Sequence, residues 1–409
     1  MAGSWAGALS ERDFRLFFTG YLTSYFGSQM VPVAVTFAVL NTGGTAADVG
    51  YVLAAETVPL VVFLLVGGVI ADRLPRRAVM IGADLLRTVS QGLLAALLLT
   101  GRPALWEFMA LLAVTGAGMA FFSPAMTGLI PQVVSAARLQ QANALTGLSQ
   151  SLGAVAGPAI SGVLVAAVGP GWAVAADAAT YLVSAYCLAR VSVPLVAAAA
   201  RSSFLAELRL GWQEFRSRAW LWAVVVSAAL WHLLAYAPFI VLGAVVAKAD
   251  LGGARAWGAI LAAQGIGAIA GGLVMLRMRP ARPLVTATIA LFPYAAPMAL
   301  LAVRAPVAAV AAGSFVAGWG LSTFSVLWDT TMQREIPPAV LSRVSAYDWF
   351  GSVAFLPVGY ALTGPLAALL TVTGALWAAA GWTVLTTALV LVVPSVWRLR
   401  APAPAPASA

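Results

Sequence analysis

Residues 49–77 read VGYVLAAETVPLVVFLLVGGVIADRLPRR. An almost unbroken apolar run of about 20 residues, the length that a helix needs to cross the hydrocarbon core of a bilayer, ends at a cluster of charged side chains. Such a stretch predicts a transmembrane helix that is followed by a polar loop.

The same pattern recurs along the whole chain, in which 62% of the 409 residues are hydrophobic and 9% are charged. Soluble domains are about 45–50% apolar and about 25% charged, and their surfaces need polar groups that this chain lacks. The sequence therefore predicts an all-α polytopic membrane protein with about 12 transmembrane helices, since the alternating pattern of barrel strands is absent. Apolar runs of sufficient length begin near Phe14, Val49, Ala78, Leu105, Gln141, Trp172, Ala219, Ala254, Leu284, Pro306, Arg343 and Thr371.

The formal net charge of +9 comes from Arg and Lys residues that stand between the apolar runs. Of the 23 basic residues, 18 fall in segments on one side of the predicted topology. Four fall on the other side, at Arg102, Lys248, Arg255 and Arg304, and Arg87 lies within a span. This asymmetry obeys the positive-inside rule, so we expect a multi-pass cell-membrane protein with both termini in the cytoplasm. A phosphate-binding face for nucleic acid would instead gather the basic residues on one surface.

The chain is predicted to consist of two parallel six-helix halves. We expect an N-terminal half at 1–192, a cytoplasmic linker at 193–218, a C-terminal half at 219–400 and a disordered tail at 401–409. Weak self-similarity supports this division, because Phe122-Ser123 matches Phe324-Ser325 at an offset of 202 and Arg73 matches Arg277 at an offset of 204.

A charged motif follows the second predicted span. Its members are Gly68, Asp72, Arg73, Arg76 and Arg77. The motif resembles the signature loop of the major facilitator superfamily, G-x-x-x-D-R-x-G-R-R, with Pro75 in place of the usual glycine. The glycine permits close helix approach, the aspartate can interact with a helix N-terminus, and the arginines hold the loop in the cytoplasm. The resemblance implies a role in gating between transport conformations.

A second motif lies in the fifth predicted span, at Gly153, Gly157, Pro158 and Gly162. It resembles the exporter motif of the same superfamily, G-x8-G-x3-G-P-x2-G-G, with Ala144 and Ser161 replacing two glycines. Generic small-residue packing would produce a similar pattern. The wider chain is similar to the drug, macrolide and siderophore efflux branch at Arg12-Asp13-Phe14-Arg15-Leu16, Gln333 with Ile336-Pro337, Ser342-Arg343-Val344-Ser345, Pro357 with Gly359, and Gly364-Pro365.

The resemblance implies a proton-coupled exporter of small amphipathic compounds that works by alternating access. Its partners would be the lipid bilayer, the exported small molecule and protons, and we expect a monomer. The alternatives are a dedicated siderophore or metabolite exporter and, from another class, a membrane sensor or assembly protein with the same fold. The sequence contains neither a phosphate-binding loop nor a catalytic cluster, so we expect no enzyme activity and no cofactor, with the proton gradient as the energy source.

Few ionisable side chains fall inside the predicted spans, where each charge costs about 2.5–3.5 kcal/mol to insert. Asp84 and Arg87 are three residues apart on one helix and are expected to form a structural ion pair. Glu56, Asp177 and Asp329 are the candidates for proton coupling, because each has no basic residue within one helical turn. Carboxyls that only hydrogen-bond to neighbouring helices would look the same in the sequence.

The Arg asymmetry leads to a prediction about topology. Reporter fusions placed after Arg77 and after Arg209 should give cytoplasmic signals, whereas fusions near Gly44 and near Lys248 should give external signals. Paired phosphatase and fluorescent-protein reporters measure this directly. An external signal at Arg77 combined with a cytoplasmic one at Gly44 would reverse the proposed orientation.

Overall fold

A computed structural model describes the backbone of residues 6–192, 204–278 and 280–400, and this part of the chain is helical with no β-strand. Its helices are α1 (Ala6–Leu9), α2 (Arg12–Asn41), α3 (Ala46–Arg73), α4 (Arg76–Thr100), α5 (Leu105–Val133), α6 (Leu139–Val168), α7 (Pro170–Ala189), α8 (Phe204–Ser217), α9 (Ala219–Trp231), α10 (Ala237–Asp250), α11 (Ala254–Met275), α12 (Pro283–Ile289), α13 (Ala295–Ala302), α14 (Val307–Glu335), α15 (Pro338–Val353), α16 (Leu356–Val392) and α17 (Pro394–Arg398). Short 3-10 helices lie at Ala136–Arg138 and Phe292–Tyr294, and a π-helix lies at His232–Tyr236.

Eleven helical segments of the described chain are long and apolar enough to span a membrane. The last of them, Arg343–Val392, has 50 residues, and the backbone leaves the helical conformation at Thr371, where φ is +64°. A helix of that length extends about 75 Å, enough for two crossings of a hydrocarbon core of about 30 Å. The all-α polytopic class is therefore confirmed, while the count of twelve spans and the division into two halves stay predictions.

Glycine and proline set the tight turn between α6 and α7. Gly169 has a φ of +96°, a conformation that a side chain would disfavour, and Pro170 begins α7 at a position where no backbone N–H is needed. The turn reverses the chain within one residue and brings α7 back beside α2, where the hydroxyls of Tyr181 and Ser28 are 2.8 Å apart.

The chain divides into two compact units. The first consists of Met1–Ala200, Ile240–Ala262 and Pro357–Leu369, and the second consists of Arg201–Phe239, Ala263–Leu356 and Leu370–Ala409. Each unit has its own hydrophobic core, with Phe14, Phe122 and Leu129 among the buried side chains of the first and Trp220 and Trp328 among those of the second.

One packing arrangement occurs in both units at an offset of 202. In the first, a Cβ on Gly116 of α5 would lie 1.8 Å from the backbone carbonyl oxygen of Glu56 in α3. In the second, a Cβ on Gly318 of α14 would lie 1.9 Å from the carbonyl oxygen of Gln264 in α11. Both glycines are required because the two backbones are in contact, as is common where helices pack in lipid.

Candidate functional site

An ion pair is buried in the first unit. Arg87 of α4 donates from Nη2 to Oδ1 of Asp84 one turn earlier, and both side chains are at most 5% exposed. The guanidinium also faces two aromatic rings, with Cζ 4.5 Å from the ring centroid of Phe122 and 4.2 Å from that of Tyr181. Gly118 of α5 leaves room for the aliphatic part of the arginine, since a Cβ there would lie 2.8 Å from Cγ of Arg87. The aromatic rings and the aspartate together hold one cation inside the bundle.

Asp177 of α7 is the second carboxyl in this region and is completely buried. Neither of its oxygens has a hydrogen bond of acceptable geometry, although the side chains of Thr180 and Tyr181 lie close to it. Gly27 of α2 makes space for the carboxyl, because a Cβ there would lie 2.6 Å from Oδ1. Arg87 interacts with Asp177 electrostatically but lies beyond ion-pair distance, since its contact is with Asp84.

Several polar atoms around the ion pair lack hydrogen-bond partners within the described part of the chain. They are Oδ2 of Asp84, Nε of Arg87, both amide atoms of Gln91, both carboxyl oxygens of Asp177 and Oγ of Ser184. Buried polar groups in native proteins are almost always hydrogen-bonded, so this many in one place indicates a site with a role beyond packing. We call these residues, together with Tyr181, the buried polar cluster.

Glu56 lies on α3 at the crossing with α5. Its backbone carbonyl is the one that contacts Gly116, and its side chain is half-buried. The carboxyl is close enough to Asp177 for the two to interact electrostatically. The predicted coupling residues Glu56 and Asp177 are therefore neighbours of one cluster, although they are far apart in the sequence.

The third candidate, Asp329, lies in the second unit. It is on α14, and its side chain is exposed. Asp348 of α15 also lies in this unit and accepts a hydrogen bond of 3.1 Å from the indole nitrogen of Trp328. Asp329 thus stands apart from the buried polar cluster, and nothing in its surroundings resembles the environment of Asp177.

The exporter-type motif forms a line of close contacts along α6. A Cβ on Gly153 would lie 2.7 Å from the ring of Tyr25, and a Cβ on Gly157 would lie 2.4 Å from Cβ of Gln29, both in α2. At the end of the motif α6 meets α11, because a Cβ on Gly258 would lie 2.4 Å from the carbonyl oxygen of Pro158. Gly162 faces the same region of α11, with its Cβ position 2.6 Å from the carbonyl oxygen of Ala254.

Two further glycines make contacts that the sequence reasoning missed. A Cβ on Gly50 of α3 would lie 2.1 Å from the carbonyl oxygen of Tyr360, and a Cβ on Gly364 would lie 2.3 Å from Ala47. Lys248, at the end of α10, donates to the carbonyl oxygen of Leu40 in the last turn of α2. These contacts and those between α6 and α11 all lie within the first unit, at helix ends that carry few arginines. We call them the glycine seam.

The signature loop is described in part. The side chains of Gly68, Asp72 and Arg73 lie outside the described residues, although the backbone of that segment is helical. Arg77 donates from Nε to the carbonyl oxygen of Leu188 at 2.8 Å, in the last turn of α7. Arg76 donates to the carbonyl oxygen of Gly128 in α5. Both arginines therefore bond helix carbonyls, and Arg77 does so at a helix C-terminus, where a cation is favourable.

Comparison with known proteins agrees with this architecture. Residues 2–404 match the family described as transmembrane secretion effectors. The multidrug efflux pump Tap of Mycolicibacterium fortuitum is 28% identical over 85% of this chain and 87% of its own length. The enterobactin exporter EntS of Citrobacter koseri is 26% identical over 96% of this chain and 94% of its own. Macrolide efflux protein A of Streptococcus pyogenes is 24% identical over 55% of this chain and 56% of its own.

Solved transporter structures have the same fold. The nucleoside transporter NupG superposes with a TM-score of 0.72 at 13% identity, over 93% of this chain and 98% of its own. A bacterial homolog of the human lysosomal transporter Spinster, in an inward-facing and unoccupied conformation, gives a TM-score of 0.71 at 13% identity over 96% and 97%. At these identities the likeness concerns the fold alone.

The contact between α6 and α11 leads to a prediction. Gly258→Leu should reduce export at least about tenfold, because the side chain would push α11 away from the carbonyl of Pro158 and keep the glycine seam from closing. Gly82→Leu is the matched control, since a Cβ at Gly82 meets no atom within 4 Å. Export rates at equal protein abundance measure the effect. Equal export by both variants would mean that the seam need not form during transport.

The buried ion pair leads to another. Arg87→Gln should lower stability by about 3–5 kcal/mol, because it leaves the carboxylate of Asp84 buried without its cation. The double variant Asp84→Leu/Arg87→Met should recover most of this loss, since it replaces the pair with apolar groups of similar size. Thermal unfolding of the purified protein in detergent compares the two. A double variant as unstable as Arg87→Gln would contradict a structural role for the pair.

Proposed function

The chain belongs to the transmembrane secretion effector family of the major facilitator superfamily, and we propose that it is a proton-coupled exporter of small amphipathic compounds. The buried polar cluster is the observation that carries the coupling. It contains two fully buried aspartates and one arginine, with a third carboxyl, that of Glu56, within electrostatic reach.

Charge counting supports a proton site at Asp177. Arg87 neutralises one carboxylate, and Asp84 is the one in contact with it. A second carboxylate in the cluster has no cation in contact among the described side chains, and an unneutralised charge inside a bilayer is costly. In the proposed cycle Asp177 is uncharged when it carries the proton. It loses that proton in the conformation where Arg87 can approach it.

Glu56 is the second proton site in this proposal. Its interaction with Asp177 means that ionisation of either group disfavours ionisation of the other, so their protons are coupled. Glu56 also lies on the backbone crossing between α3 and α5, where a change in side-chain charge is felt by two packed helices. Asp329 is exposed and outside the cluster, so the proposal gives it no proton.

The energy available is adequate for export. One proton that moves through 100 mV supplies about 2.3 kcal/mol, which corresponds to a concentration ratio of about fifty. A compound that carries no charge would be concentrated by that factor for each proton exchanged.

The glycine seam supports alternating access. Backbones that touch through glycine form a thin, well-packed contact that can open without breaking a hydrophobic core. We propose that the seam closes the external side, with both termini in the cytoplasm, and that opening it releases the compound outside. Arg76 and Arg77 would stabilise the opposite helix ends through their bonds to carbonyls. The transporter would work as a monomer.

The names of the relatives support an amphipathic substrate, since they are a multidrug pump, a macrolide pump and an enterobactin exporter. The second candidate is a dedicated exporter of one metabolite or siderophore, favoured by the match to the enterobactin exporter over 96% of this chain. A sensor or assembly protein that does not transport would have no need for two buried aspartates beside one arginine.

Substitution of the proton sites tests the proposal. Asp177→Asn should still exchange substrate across proteoliposome membranes but should fail to concentrate it when a pH difference is imposed, because the amide cannot release a proton. The accumulation ratio should fall from as much as about fifty toward one. Glu56→Gln should weaken accumulation in the same assay.

Asp329→Asn is the matched control, because it removes a carboxyl from a spanning helix outside the cluster. It should leave accumulation and proton flux unchanged. If Asp177→Asn pumps uphill with normal proton flux while Asp329→Asn does not, the coupling site lies in the second unit and the proposal for Asp177 is wrong.

A further inference from the structure

A cavity lies inside the second unit, between α9, α12, α14 and α16. Its enclosed part is about 90 Å³, and the whole concavity with its open side is about 570 Å³. Apolar and aromatic side chains form most of the lining, among them Trp231, Leu321 and Phe324. Ligand sites are concave, mostly apolar and furnished with a few polar groups, and this cavity has that character.

The backbone beside the cavity is irregular. The π-helix His232–Tyr236 interrupts the long helix formed by α9 and α10, and its first residue lines the cavity. π-turns of this kind occur frequently at functional sites. On the preceding turn of α9, Ser227 and Ala228 are small and leave space that larger side chains would fill.

The polar groups of the lining present mainly hydrogen-bond acceptors. The hydroxyl of Ser227 donates to a backbone carbonyl at 3.0 Å, that of Thr288 at 2.7 Å and that of Thr386 at 2.9 Å. Nδ1 of His232 lies 2.8 Å from the carbonyl oxygen of Ala228, so this nitrogen carries the hydrogen. The hydroxyl oxygens and Nε2 of the imidazole remain as acceptors.

No acidic residue lines this cavity. A cationic ligand would therefore be removed from water without a counter-ion, which is unfavourable. An uncharged group that donates one hydrogen bond has no such penalty, and it would match the acceptors on one wall. The rings of Trp231 and Phe324 offer flat surfaces against which an aromatic or branched apolar group can pack.

We propose that this cavity binds an uncharged, apolar group that bears one hydrogen-bond donor, such as a phenol or an alcohol, and that Nε2 of His232 accepts the bond. The site rests on the proposed function, in that the group is part of the exported compound. It lies outside the buried polar cluster, so the proton and the compound occupy different parts of the chain.

Fluorine NMR of small probes tests the site without any transport. The full chain in lipid nanodiscs is titrated into para-fluorophenol, into para-fluoroanisole, which lacks the donor, and into para-fluorophenyltrimethylammonium, which is cationic. Empty nanodiscs correct for partition into lipid. We expect saturable binding of the phenol, with the anisole and the cation each at least about fivefold weaker, the size of one net hydrogen bond.

Variants then assign the binding to the cavity. Ala228→Leu fills it and should abolish saturable binding, and Val224→Leu narrows it from the same helix in case the first variant does not fold. His232→Phe should weaken phenol binding about fivefold and leave anisole binding unchanged. Tyr236→Phe is the matched control, because this residue belongs to the same π-helix but does not line the cavity.

The outcomes separate this proposal from the proposed function. Equal binding of phenol and anisole, preference for the cation, or binding that survives both Ala228→Leu and Val224→Leu would each overturn the assignment. Because binding is measured at equilibrium with no proton gradient, loss of coupling in Asp177→Asn leaves the readout intact. Normal binding with no export would support the site and contradict the transport function, and export with no saturable binding would do the reverse.

Discussion

The bilayer interior contains no water, so every backbone N–H and C=O within it must bond inside its own helix. This constraint removes the hydrophobic effect as a reason for one helix to prefer another over lipid, and close packing takes its place. Glycines provide that packing here. Gly116 contacts the carbonyl of Glu56 and Gly318 contacts that of Gln264, so the backbone itself is the packing surface. Where side chains do intervene, they must be small, apolar or mutually neutralised.

The same crossing carries different chemistry in the two units. On α3 the residue beneath the glycine is the acid Glu56, and nearby Arg87 holds Asp84. On α11 it is the amide Gln264, whose nitrogen donates to the hydroxyl of Tyr294 at 2.7 Å. A neutral pair of this kind keeps the packing and removes the need for a counter-ion. The repeat thus preserves a backbone geometry, while the proposed proton chemistry depends on residues found in one copy.

Sequence patterns predicted the features that depend on neighbours along the chain. Apolar runs predicted the spans, and a spacing of three residues predicted that Asp84 and Arg87 would meet, because both follow from the geometry of a single helix. The spacing of small residues also marked Gly153 and Gly157, whose Cβ positions lie against α2.

Contacts between helices that are distant in the sequence leave no such pattern. The approach of Asp177 to Arg87, and of Gly50 to Tyr360, depends on how separate helices are arranged. Gln91 drew no attention because an amide is ordinary in a helix until burial leaves both of its polar atoms without partners. The π-turn at His232 has no characteristic residue type, so the cavity beside it was equally hidden.

Separation of the two proposed sites has a physical consequence for coupling. A proton on Asp177 cannot touch a ligand beside His232, so each can influence the other only if both change the balance between the same two conformations. A shift from mostly one conformation to mostly the other needs a differential affinity of about 5.5 kcal/mol. A charge that is buried in one conformation and neutralised in the other supplies an energy of that order, since breaking a buried ion pair costs about 3–5 kcal/mol. The arginine of the buried polar cluster, shared between two carboxyls, is therefore the element best suited to convert a proton into a change of conformation.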